Sequence, residues 1–87
     1  MRNIVASGGL GYRINLEVAA LMMGNAMYKP EQFPGLIYRM HDPKAVLLLF
    51  QSGNFVCTGA RKEADVYTAI ARASEILREI DALEERK

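Results

Sequence analysis

The chain of 87 residues has no tryptophan, a single cysteine, a single histidine and three prolines, and its formal net charge is only +1. One cysteine, Cys57, cannot close an internal disulfide, and with His41 as the only histidine there is no Cys/His set at metal-ligand spacing. Neither a metal nor any other cofactor is expected, and the thiol usage points to a reducing, intracellular compartment. No apolar run approaches the ~18 residues of a membrane span, and the N-terminus lacks the charged-then-apolar pattern of a signal peptide. A soluble protein that is not exported and makes no membrane contact is therefore expected. Catalytic chemistry also finds little support. His41 beside Asp42 reads as a solvated turn histidine, Cys57 as an inert buried thiol, and Gly8-Gly9-Leu10-Gly11 lacks the lysine and strand–loop–helix context of a phosphate cradle. No catalytic residue is expected.

What the chain does have is apolar surface to bury, since 51% of its residues are hydrophobic. That suffices for one small domain, residues 1–87. The near-zero net charge argues against a strongly basic nucleic-acid binder, but the charges are unevenly placed. Residues 1–61 carry six basic groups against three acidic, and residues 62–87 carry five basic against seven acidic. With a sheet in the first part and a helix in the last, this gives one mildly basic face and one acidic face.

Asn3-Ile4-Val5-Ala6-Ser7 reads as a short strand ended by Gly8-Gly9. A helix follows from Asn15, its N-cap, to Met23, with Glu17 in the first turn and Leu16, Ala19, Ala20 and Met23 at helical spacing. Met27-Tyr28 begins a second strand, and Lys29-Pro30-Glu31-Gln32 is a connecting loop. Leu36–Met40, Ala45–Phe50 and Asn54–Thr58 then form an antiparallel meander, turning at His41-Asp42-Pro43-Lys44 and Gln51-Ser52-Gly53. A long helix is expected from Lys62 to about Arg86, with Val66, Ile70, Ala73, Leu77, Ile80 and Leu83 as its apolar stripe. The fold class is α+β, with helices on one face of an antiparallel sheet.

The strand Ala45–Phe50 is apolar on both faces, with Val46, Leu48 and Phe50 opposing Leu47 and Leu49. An antiparallel sheet facing water normally alternates apolar and polar. Something other than water should therefore cover its second face.

Glu31-Gln32-Phe33-Pro34-Gly35-Leu36-Ile37-Tyr38-Arg39, then Phe50-Gln51-Ser52-Gly53-Asn54 and Cys57-Thr58-Gly59-Ala60-Arg61, resemble one repeat of the TATA-box-binding protein family, archaeal in flavour. The ordered series covers almost the whole chain. The resemblance implies a half-saddle: a curved five-stranded antiparallel sheet with two helices on its convex face, in the order β-α-β-β-β-β-α. It implies a general transcription factor domain that binds the minor groove of A·T-rich TATA promoter DNA, with Phe33 and Phe50 as wedges between base steps. By the same resemblance Asn3 and Thr58 donate to base acceptors, and Val5, Leu48 and Val56 press on bases and sugars. Arg39, Ser52 and Arg61 reach phosphates. An apolar sheet with a few small donors suits a minor groove, whose acceptor pattern is degenerate. Asn3, Val5, Leu48, Phe50, Val56 and Thr58 also share one parity within their strands, which the motif match did not require.

The loop residues Lys29, Glu31 and Gln32 match a stirrup on which transcription factor B docks, although the family often has glutamate where Lys29 stands. Asn54 replaces a lysine that usually contacts phosphate. Val56–Ala60 is similar to the family's first repeat and Phe33–Met40 to its second, so the half is left open. A saddle needs two repeats and this chain holds one. A homodimer, or half of a longer two-repeat protein, would supply the rest, in the cytoplasm or nucleoid of an archaeon or the nucleus of a eukaryote. The alternative is a stand-alone accessory module, like the domain in front of some type-three ribonucleases H, without TATA binding of its own.

Overall fold

Asn15 begins the first helix as its side chain dictates: extended at ψ 95°, it accepts the Val18 N–H through Oδ1 at 3.1 Å. The computed structural model describes residues 3–85. Its elements are β1 (Ile4–Gly9), β2 (Tyr12–Ile14), α1 (Leu16–Met22), β3 (Ala26–Tyr28), β4 (Leu36–His41), β5 (Lys44–Leu49), β6 (Asn54–Ala60), α2 (Glu63–Glu79) and β7 (Leu83–Glu85). Five strands make an antiparallel sheet in the order β1-β6-β5-β4-β3, and β2 pairs with β7 separately. The α+β class and the five-stranded sheet with two helices are as expected.

Both helices lie on one face. α2 packs across β1, β5 and β6, and α1 packs against β3. Strand alternation then divides the residues. Ala45, Leu47 and Leu49 of β5 and Phe55 and Cys57 of β6 point into the core with Val66, Ala69, Ala73 and Leu77 of α2. Burial pushes the Cys57 thiol above its ordinary pKa, as a desolvated thiolate is disfavoured.

Two expectations need correction. β1 runs through Gly8 and Gly9 to pair with Phe55 and Asn54, although the sequence predicts that the glycines end it. A Cβ on Gly8 would stand 3.0 Å from the Phe55 ring, so glycine here permits the aromatic to close on the backbone. The last helix stops at Glu79, and Leu83 belongs to β7, paired with the fully buried Ile14 of β2. Asp81 takes the left-handed conformation at φ 60°, and Ala82 N–H donates to Leu77 O while Asp81 N–H donates to Arg78 O. These are the two bonds of a Schellman stop, usually built on glycine. Aspartate tolerates that conformation, and apolar periodicity carries no sign of it. The tail of the predicted helix, residue 86, lies outside the described residues.

Candidate nucleic-acid interface

The face opposite the helices is open, and strand register arranges it in rows. Met27, Ile37, Leu48, Val56 and Ser7 lie side by side across all five strands. In the adjoining row Arg39 pairs with Val46 and Val46 with Thr58. Beyond Thr58 the ladder is irregular: Ile4 pairs with Ala60 but Ala6 with Cys57, so Val5 stands against both Thr58 and Gly59. Gly59 has φ +80°, the left-handed glycine that such a bulge requires. Val5 is 64% exposed at this bulge.

Asn3 is oriented by the bulge. The Gly59 N–H donates to Asn3 Oδ1 at 2.8 Å. An N–H can be met only by the amide oxygen, which settles which way the side chain points. Both hydrogens of its NH2 group remain as donors.

Phe33 and Phe50 meet at one end of the rows with centroids 5.8 Å apart and planes at 65°, an edge-to-face pair. Phe33 reaches this position through the turn at 29–33, where Gln32 and Phe33 N–H both donate to Lys29 O. Gly35 lies between the rings and the sheet: a Cβ there would come within 2.9 Å of Phe33, 3.0 Å of Phe50 and 3.0 Å of Leu49 O. Only glycine lets both rings settle on β4 and β5. Both are half-buried.

The remaining sequence-predicted residues lie around this surface. Arg39 is exposed in β4, and Arg61 is exposed beyond β6 beside Asn3 and Ile4. Ser52 sits in the β5–β6 turn, its Oγ accepting from Asn54 N–H at 3.4 Å. Lys29, Glu31 and Gln32 are exposed on the loop before Phe33. Sequence reasoning put Val46 on this face without a role and passed over Met27, Ile37 and Lys44, which share it. The parity of Arg39 identifies Ile37, and that of Phe50 identifies Lys44; Met27 needed the β3–β4 register.

The family model described as "Transcription factor TFIID (or TATA-binding protein, TBP)" matches residues 1–80. The chain belongs to the TATA-binding-protein family. It is 55% identical over 83 residues to the TATA-box-binding protein of Pyrobaculum aerophilum, covering 95% of this chain and 42% of that one. To the TATA-box-binding protein of Aeropyrum pernix it is 52% identical, covering 95% of this chain and 41% of the relative. The solved structure of Methanococcus jannaschii TBP superimposes with a TM-score of 0.87 at 45% identity, over 90% of this chain and 46% of that chain. This member of the TATA-binding-protein family thus spans less than half the length of the curated relatives it matches. Among the described residues no helix is long and apolar enough to cross a membrane.

Proposed function

We propose that this chain is a non-enzymatic half of a TATA-box-binding saddle, whose open face lies in the minor groove of A·T-rich DNA. The observation that carries the reading is the Phe33–Phe50 pair standing at the end of an apolar sheet face on a rigid glycine seat. Phenylalanine wedges that unstack base steps and kink the duplex are the family's known behaviour. Phe33 and Phe50 are the wedges of this half. Leu48, Val56 and Val5 contact sugars and base edges, and Thr58 and the Asn3 amide donate to the A N3 and T O2 acceptors of the groove floor. Arg39, Ser52 and Arg61 contact phosphates, and Lys29, Glu31 and Gln32 offer a docking loop to transcription factor B.

The donor role of Asn3 has a direct test. Asn3→Asp keeps an acceptor for Gly59 N–H but removes both donors and adds a negative charge beside the DNA. Losing a specific base contact costs ~1–3 kcal/mol, so binding to a TATA duplex should weaken by roughly 5- to 150-fold. The melting temperature should hardly change.

One wedge pair grips only one end of a site. We propose that β1 is the edge through which the second half is recruited. Ile4–Gly9 contains no charge and no proline, the usual guards of an exposed edge, and Val5 and the 72% exposed Tyr67 flank it. Antiparallel pairing of two β1 strands about a two-fold axis would make one continuous ten-stranded sheet. In sedimentation at micromolar concentration the 87-residue chain should run as a dimer, and Val5→Lys with Tyr67→Glu should give a folded monomer. A wild-type monomer that fails to shift TATA DNA at low salt would contradict this reading.

A further inference from the structure

The sheet order β1-β6-β5-β4-β3 sets the polar donors and the phenylalanines at different distances from the β1 edge. Asn3 stands directly before β1, its Oδ1 held by Gly59 N–H, and Thr58 lies in the neighbouring β6. Gly35 seats Phe33 and Phe50 against β4 and β5, further out in the same sheet. A two-fold axis at the β1 edge therefore gathers two copies of Asn3 and Thr58 at the centre and sends two identical aromatic pairs to the ends. About six strand spacings of roughly 4.8 Å separate those pairs, or roughly 29 Å, the length of about eight base pairs at 3.4 Å each.

We infer that the DNA target of this chain is an inverted repeat without direction: two identical A·T-rich half-sites, each carrying a flexible pyrimidine–purine step at its outer end. The inference rests on the reading that a second copy of the chain, paired through β1, completes the saddle. Two-fold symmetry in a protein is matched by palindromy in its DNA. Rotating such a dimer by half a turn returns the same complex, so it has no orientation on its site. The central donors add no polarity, because A·T and T·A pairs both present only acceptors in the minor groove. The two free hydrogens of each Asn3 amide meet an A N3 or a T O2 equally well. Sequence is then felt at the ends, where each Phe33–Phe50 pair, edge-to-face at 5.8 Å, must part a base step. TA steps kink easily, and A-tracts are stiff. With the same aromatic pair at both ends, the two outer steps carry equal weight and one soft step does not suffice. The loop carrying Lys29, Glu31 and Gln32 is duplicated as well, so nothing in the dimer marks one end as upstream.

The test is an anisotropy titration of the full chain with three duplexes that share one set of symmetric G·C flanks around the sites TATATATA, TATATTTT and AAAATTTT. All three sites consist of A·T pairs with the same central step, and the second joins one half of the first to one half of the third. Each stiff half should weaken binding by at least about fivefold, the low end of the cost of a mismatched base pair. The overall dissociation constant of the mixed duplex should be the geometric mean of the other two. Sedimentation of each complex counts the chains bound. With two chains per duplex, a mixed site that binds more tightly than both symmetric ones, or equal affinity for all three, overturns the symmetric target alone. One chain per duplex overturns the dimer reading along with it, and a chain that binds none of the three overturns the DNA reading as well.

Discussion

Gly53→Ala should be the most damaging small substitution in the chain, lowering the melting temperature by roughly 8–40 °C or leaving the protein unfolded. Gly53 closes the β5–β6 turn at φ +95°, its N–H donating to Phe50 O at 2.9 Å. A Cβ there would stand 1.8 Å from the carbonyl oxygen of Tyr12. That oxygen is backbone and cannot rotate away. The segment is also pinned on both sides, because Leu10 N–H donates to Gly53 O and Ile14 N–H to Gln51 O, each at 3.0 Å. Relief of the clash must therefore break the tie between β2 and the turn, and with it the seat of Ile14. The left-handed conformation alone costs ~1–2 kcal/mol for an alanine, and forced backbone shifts add about 1–3 kcal/mol. A domain of this size has roughly 4–13 kcal/mol of stability in all. Gly11→Ala is the control, since Gly11 has φ +81° but nothing within 4 Å of the added Cβ. It should lose only the conformational part, ~1–2 kcal/mol, or about 4–16 °C. Thermal unfolding followed by circular dichroism measures both.

Phe33→Ala and Phe50→Ala should each abolish tight DNA binding while leaving a folded protein. Each ring is half-buried and packs edge-to-face on the other, so its removal costs the fold about 0.5–1.5 kcal/mol of aromatic contact together with part of its apolar burial. Toward DNA the loss is larger. An inserted ring gains about 1.5–3 kcal/mol of apolar burial, so each variant should bind a TATA duplex roughly 10- to 150-fold more weakly. The double variant should not lose the sum, because the remaining ring in each single variant has already lost its neighbour. Fluorescence titration of the four proteins at one fixed salt concentration gives the comparison.

The sheet was legible because β5 and β6 are short apolar runs bounded by turns marked by Asp42-Pro43 and Ser52-Gly53, with burial alternating along β5 and along β6 as far as Thr58. Alternation also sorted Asn3, Val5, Leu48, Phe50, Val56 and Thr58 onto one face, where the structure places them. What stayed hidden depends on contacts between distant segments. The pairing of β2 with β7 joins residues about seventy apart in sequence, and neither strand is longer than three residues. The stop at Asp81 uses a residue with no strong terminator signal, and Ile80 and Leu83 continue the apolar spacing past it. The Gly8-Gly9 pair looks like a breaker until the Phe55 ring is placed over it. For the candidate site, the motif identified the wedges, but the orientation of Asn3 comes from Gly59 across the bulge. Lys44 was hidden because it borders a turn, where charged side chains carry no specific signal.

The central claim, that one chain brings a pair of phenylalanine wedges to a minor groove, is tested most directly by bending. A TATA duplex labelled with a donor and an acceptor at its two ends should show a rise in energy transfer on adding the wild-type chain. The rise should be lost with Phe33→Ala combined with Phe50→Ala at protein concentrations that still saturate the DNA. Undiminished energy transfer with that double variant, or binding of the wild-type chain without any bend, would contradict the account.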